Sequence, residues 1–106
     1  MPKISRNKLE VKVYESILNH LVGTLAFLAK KEEINDLLDG LFTRTERLML
    51  AKRLAIAALL EQAVSYKEIS KLLKVSSVTI GFVKNGIMKN NSNYDSLIKT
   101  IQKLKL

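Results

Sequence analysis

Basic and small polar side chains concentrate in residues 65–86, which read SYKEISKLLKVSSVTIGFVKNG. The residues able to bind a polyanion there are Lys67, Lys71, Lys74, Ser76, Ser77, Thr79 and Lys84. Ammonium groups contact phosphates, whereas Ser and Thr hydroxyls can donate to or accept from base edges. Val78 can touch a thymine methyl group, and Gly81 permits close approach of the backbone. These residues predict contact with DNA, although each lysine by itself is equally well a solubilising surface charge.

Two short helices joined by a tight turn are predicted to position these side chains. Ser65 and Glu68 have capping-box spacing, and Ser76 or Ser77 can cap the second helix. The buried side is predicted from helical spacing to consist of Ile69, Leu72, Leu73, Val75, Ile80 and Val83. The turn position that favours a positive φ falls on Lys74. This pattern is typical of a DNA-binding helix-turn-helix over 65–86, although a purely structural hairpin shows the same spacing.

Four further helices are predicted, which makes the chain all-α with six helices and no strand. The first runs over about 9–30, the second ends at Asp39-Gly40, and the third runs from Thr43, capped with Glu46, to about Gln62. Residues 87–93 have the composition of a loop, and residues 92–106 form the last helix. Residues 1–8 are expected to be a flexible basic arm.

Apolar residues cover more than half of the first helix and nearly all of the third. The third helix is therefore expected to be buried. The first helix needs partners on two sides, and one of them can be a second subunit.

The composition narrows the functional classes. A chain of 106 residues predicts a single domain over 1–106, and its net charge of +8 suits a nucleic acid, although ribosomal and membrane-surface proteins show similar charge. There is no cysteine, His20 is the single histidine, and no phosphate-binding glycine loop is present, so neither an enzyme nor a metal site is expected. The apolar runs are too short for a membrane span, and a cytoplasmic location is expected.

Several short motifs together resemble the Trp repressor superfamily. They are Phe42-Thr43-Arg44-Thr45-Glu46-Arg47, Ala51-Lys52-Arg53, Leu59-Leu60, Ser65-Tyr66-Lys67-Glu68-Ile69, Val78-Thr79-Ile80 and Tyr94-Asp95-Ser96-Leu97-Ile98. The last motif is similar to the YerC/YecD type of TrpR-like protein. The resemblance implies an intertwined homodimer whose two recognition helices meet successive major grooves.

The resemblance also bears on a small-molecule effector. In tryptophan-sensing members, an arginine of the central helix holds the carboxylate of the ligand and an arginine of the recognition helix stacks on its indole. The first matches Arg53, but the second falls on Phe82, which supplies no cation. Arg53 and Phe82 are thus effector-site candidates. No cofactor is predicted and tryptophan is not expected, while the sequence leaves open whether another small molecule acts as corepressor. Phe82 is expected to pack inside against the central helix, with a contact to DNA sugar as the alternative.

The sequence therefore predicts a regulator that binds double-stranded DNA specifically and represses by occupying its operator. The alternative is a protein-interaction module built on the same dimer, because no Arg or Asn stands at the start of the recognition helix. Clustering of Lys67, Lys71, Lys74 and Lys84 on one surface would favour DNA.

Overall fold

A computed structural model describes residues 9–89 and 99–100 of the chain. It contains α1 (Val11–Phe27), α2 (Lys31–Leu41), α3 (Arg44–Glu61), α4 (Tyr66–Leu73) and α5 (Ser77–Lys89), and no strand occurs in the described ranges. The all-α prediction is confirmed. Of the predicted last helix, only residues 99 and 100 are described, and both are helical. The predicted basic arm, residues 1–8, lies outside the described residues.

The chain divides into two compact units, Met1–Leu41 and Phe42–Leu106. The first unit holds α1, in which no residue is buried, and α2. Glu32 and Glu33 stand in the first turn of α2, where carboxylates favour the positive end of the helix dipole. The helix passes through the predicted stop signal Asp39-Gly40, where Gly40 has no positive φ, and ends directly after it at Leu41.

In the second unit, a reciprocal capping box starts α3. The Thr43 backbone N–H donates to Glu46 Oε1 at 2.9 Å, and the Glu46 N–H donates to Thr43 Oγ1 at 3.1 Å. Two backbone donors that the helix itself leaves unpaired are thereby satisfied. The predicted start of the third helix is confirmed.

The core of this unit lies where α4 and α5 pack on the second half of α3. Ile56, Ile69 and Ile80, one from each helix, are fully buried, and residues 55–59 of α3 form a continuous buried run. Before that run, Leu48, Met49, Leu50 and Leu54 of α3 are exposed. The prediction that this helix is buried is therefore wrong for these four positions, which precede its buried run.

The helix-turn-helix forms largely as predicted. Ser65 Oγ accepts the Glu68 N–H at 3.2 Å, and Lys74 adopts the left-handed conformation at φ 57° and ψ 50°. Ser70 Oγ donates to the Val75 carbonyl at 2.6 Å and so fastens the turn to α4.

Two details of the motif differ from the prediction. Leu72 is 67% exposed, because Ile69 and Leu73 are the α4 side chains that face the core. Residues 87–89 continue α5 instead of forming a loop, and Ile87 packs against the core. That packing explains why the helix outruns the loop-forming composition of the segment.

Candidate nucleic-acid interface

The start of α5 presents its side chains outward. Ser76 Oγ accepts the Thr79 N–H at 3.2 Å, which caps the helix, and its hydroxyl also lies 3.1 Å from Thr79 Oγ1. Ser77 is exposed, and Val78 is 80% exposed. Because Ile80 and Val83 hold the other side of the helix in the core, Ser77 and Val78 are the residues free to contact a base edge.

Gly81 follows on the same helix. Apart from its chain neighbours and the backbone of its own helix, a Cβ added there would meet no heavy atom within 4 Å. Packing within the protein therefore does not require glycine at this position.

A cleft between α3 and the turn collects positive charge. This basic cleft has a volume of about 280 Å³ and is lined by Met49, Lys52, Arg53, Lys74, Val75, Ser76 and Thr79. Three of these side chains are cations, two bear hydroxyls, and none of the lining residues is acidic. Such a set matches a phosphate group, which accepts hydrogen bonds and carries negative charge.

The structure adds residues to the site that sequence reasoning did not assign to DNA. Met49, Lys52 and Arg53 come from α3, more than twenty positions before Lys74, and reach the cleft because α3 passes beside the turn. A signal for them is present in the sequence, since Lys52 and Arg53 interrupt an otherwise apolar helix.

The predicted lysines occupy different surroundings. Lys74 lines the basic cleft, whereas Lys67 and Lys71 are exposed one turn apart on α4. The Lys84 Nζ lies 6.0 Å from the centroid of the Tyr66 ring. Tyr66 directly precedes Lys67 in the chain. The cluster that the structure defines thus joins one of the predicted lysines to two cations of α3.

Arg53 and Phe82 contact each other across α3 and α5. The Arg53 Cζ lies over the Phe82 ring, 5.2 Å from its centroid. Phe82 is 62% exposed, so the ring lies at the surface. The prediction that it packs inside against the central helix is wrong. The core residues Ile80 and Val83 are its near neighbours on α5.

A second, apolar cleft of about 320 Å³ adjoins this pair. It is lined by Arg53, Leu54, Ala57, Phe82, Val83, Gly86 and Ile87. Arg53 therefore borders both clefts, and its guanidinium is the charged group of the apolar one.

Within residues 9–89 and 99–100, no helix has the length and apolarity needed to cross a bilayer. The same residues include no group of three or more His, Cys, Asp or Glu placed to hold a metal ion.

A supporting helix, a left-handed turn and a second helix with an exposed start define a helix-turn-helix protein. A family model described as Trp repressor protein matches residues 16–102, and the chain belongs to that family. The predicted superfamily is confirmed, and the chain is a helix-turn-helix DNA-binding regulator. The YerC/YecD subtype stays a prediction. No curated protein and no solved structure gave a match.

Proposed function

We propose that the protein is a dimeric repressor that recognises a specific double-stranded DNA sequence and acts by occupying it. The observation that carries the proposal is the exposed start of α5 beside the basic cleft. Ser77 and Val78 would read base edges in the major groove, while Lys52, Arg53 and Lys74 contact a backbone phosphate. Further phosphate contacts would come from Lys67, Lys71 and Lys84, all of which are exposed.

The proposed dimer is supported by apolar surface in both units. On α1 the exposed large apolar side chains are Val11, Val13, Ile17, Leu18, Leu21, Val22, Leu25 and Phe27. On α3 they are Leu48, Met49, Leu50 and Leu54. Exposed large apolar side chains in this number are typical of protein–protein interfaces, and a second copy accounts for them symmetrically. Dimerisation would place two α5 helices about one helical turn of DNA apart.

Tryptophan has no part in this proposal. The apolar cleft that Arg53 borders offers an aromatic ring at position 82 and apolar side chains, and Arg53 is the single cation in its lining. A tryptophan ligand in this apolar cleft would have to displace the ring from the guanidinium and would gain no second cation there. We therefore expect the dissociation constant for DNA to be unchanged when L-tryptophan is added in titrations of extensively dialysed protein. A tenfold or greater change, roughly 1.4 kcal/mol, would contradict this expectation.

Selection of bound sequences from a random duplex pool tests the proposed function. The wild type should enrich a palindromic site with half-sites about one turn apart. Val78→Glu should abolish enrichment with little change in thermal stability, because position 78 is exposed and a carboxylate there repels DNA. Gln62→Glu is the matched control, since it adds the same charge at an exposed position at the far end of α3 and should leave enrichment intact.

The wild type could instead bind duplexes without enriching any sequence and release them when salt is added. That result would show that the net positive charge alone causes binding, and it would contradict sequence-specific recognition. The interaction module would then be favoured. One observation already supports it as a second candidate: Leu72, Val78 and Phe82 place apolar side chains on the surface of the helix-turn-helix. Capture of the same protein partner by wild type but not Leu72→Lys would distinguish that function.

A further inference from the structure

We propose that Phe82 positions the Arg53 guanidinium at the basic cleft, so that Arg53 can receive a DNA backbone phosphate. This inference rests on the proposed function and adds Phe82 to it as a residue that acts through Arg53. Phe82 would itself contact neither phosphate nor base.

The first support is the geometry of the pair. The Arg53 Cζ lies 5.2 Å from the centroid of the Phe82 ring, within the range of a cation–π interaction. Arg53 also lines the basic cleft with Lys52 and Lys74, whereas Phe82 lies outside that cleft. The guanidinium therefore contacts the Phe82 ring, while the arginine side chain also borders the basic cleft.

The second support is charge. Lys52, Arg53 and Lys74 share one cleft whose lining contains no acidic residue. Mutual repulsion disfavours three cations at close range, and a long arginine side chain at the surface can relieve it by swinging into solvent. The negative face of the Phe82 ring opposes that movement without neutralising the charge.

The third support is the shape of the guanidinium. It carries five N–H donors in a rigid planar fork that suits phosphate oxygens, and contact with a ring does not use up those donors as a carboxylate would. An arginine already restricted by a ring loses less rotamer freedom when it binds. Lysine offers neither the planar fork nor this preorganisation.

A phosphate contact carries no sequence information, which sets the expected phenotype. Phe82→Leu keeps an apolar side chain at this exposed position but removes the ring. Its affinity should fall about two- to fivefold for the selected operator and for an unrelated duplex alike, the change expected from loss of one exposed cation–π interaction. The preferred sequence should not change, and Phe82→Trp should restore the affinity.

A double-mutant cycle separates positioning from a structural role. In an Arg53→Gln background, Phe82→Leu should cause no further loss, because the group that it positions is gone. Arg53→Gln should also lower the slope of log K against log salt by about one, as expected when one phosphate contact is lost. Circular dichroism melting of each variant checks that the fold is retained.

Three results would overturn the inference: unchanged affinity in Phe82→Leu, an equal loss in the Arg53→Gln background, or a changed preferred sequence. The last two would assign Phe82 a direct contact with DNA. If the wild type binds no duplex at all, the proposed function fails, and the positioning role for DNA phosphate falls with it. Normal wild-type binding with an inert Phe82→Leu overturns the positioning role alone.

Discussion

Lys74 combines a strained backbone with a charge at the candidate site. Its φ of 57° is in the left-handed region, which side chains other than glycine enter at a cost of roughly 1–2 kcal/mol. Its side chain lines the basic cleft. A residue type that is poor for the turn but useful for a phosphate is expected where function outweighs stability.

Lys74→Gly should therefore stabilise the chain and weaken DNA binding. We expect a net gain of roughly 0.5–1 kcal/mol in the free energy of unfolding, since relief of strain exceeds the entropy gained by the unfolded chain. The salt slope of DNA binding should fall by about one. Urea denaturation and titrations at several salt concentrations measure the two effects.

Ala63 supplies the control for this experiment. It also has a positive φ, 61°, just after α3, but it does not line the basic cleft. Ala63→Gly should stabilise the chain by a similar amount and leave DNA affinity unchanged. An affinity loss in Ala63→Gly equal to that in Lys74→Gly would attribute the effect to flexibility and not to charge.

Glu46 makes stability depend on pH through the capping box. Hydrogen bonding by Thr43, its backbone N–H first and its side chain second, lowers the pKa of Glu46 below the ordinary 4.5. A lowered pKa means that the folded chain favours the carboxylate, so this stabilisation is complete above the ordinary pKa. It is lost as pH falls through the lowered value.

Below about pH 4.5, the melting temperature of the wild type should therefore decline more steeply than that of Glu46→Gln. Glutamine keeps an acceptor oxygen at the end of the side chain but does not titrate. Parallel slopes for wild type and Glu46→Gln would contradict a role for this carboxylate.

At the scale of the element, α5 serves the core and the interface from opposite sides. Ile80 and Val83 are buried, whereas Ser77 and Val78 are exposed. A glycine inside such a helix costs roughly 1 kcal/mol relative to alanine, and the open space around Gly81 shows no compensating contact within the chain. Close approach to DNA is the benefit that the proposed function would assign to glycine at this position.

Gly81→Ala should accordingly stabilise the chain by about 1 kcal/mol while lowering the affinity for DNA. Gly86→Ala is the matched control on the same helix, because a Cβ there also meets open space and lies more than a turn further from the exposed start. It should give the same stabilisation with unchanged affinity. Equal affinity in both variants would show that DNA does not approach Gly81.

At the scale of the whole molecule, the exposed apolar side chains of α1 set the expected oligomeric state. Phe27, at the end of that helix, is 91% exposed. Burial of such side chains contributes roughly 25 cal/mol per Å² of apolar area removed from water, so a second copy that covers them stabilises both chains.

Leu21→Glu should weaken the dimer about tenfold or more, because it places an unpaired charge in the interface. Asn19→Glu adds the same charge on the opposite side of α1 and should leave the dimer intact. Sedimentation equilibrium over a range of concentrations measures the dissociation constants. A monomeric wild type, or equal effects of the two variants, would contradict a dimer formed through this face.

Much of the helix-turn-helix could be predicted because its signals are local. The capping residues Thr43, Ser65 and Ser76 and the spacing of Ile69, Ile80 and Val83 specify helix starts and buried faces within a few positions along the chain. The left-handed turn at Lys74 follows from the same short-range geometry. The family could also be predicted, because its short motifs occur in the same order along the chain. The family model that matches residues 16–102 confirms it.

The extent of α5, the exposed ring of Phe82 and the composition of the basic cleft depended on tertiary structure. Residues 87–89 stay helical because Ile87 reaches the core, and the exposed Phe82 ring meets Arg53 of α3. Lys52 and Arg53 join Lys74 through the packing of α3 beside the turn. Each of these is a contact between residues distant in the chain, and helical periodicity reports which face of a helix is apolar but not which neighbour meets it.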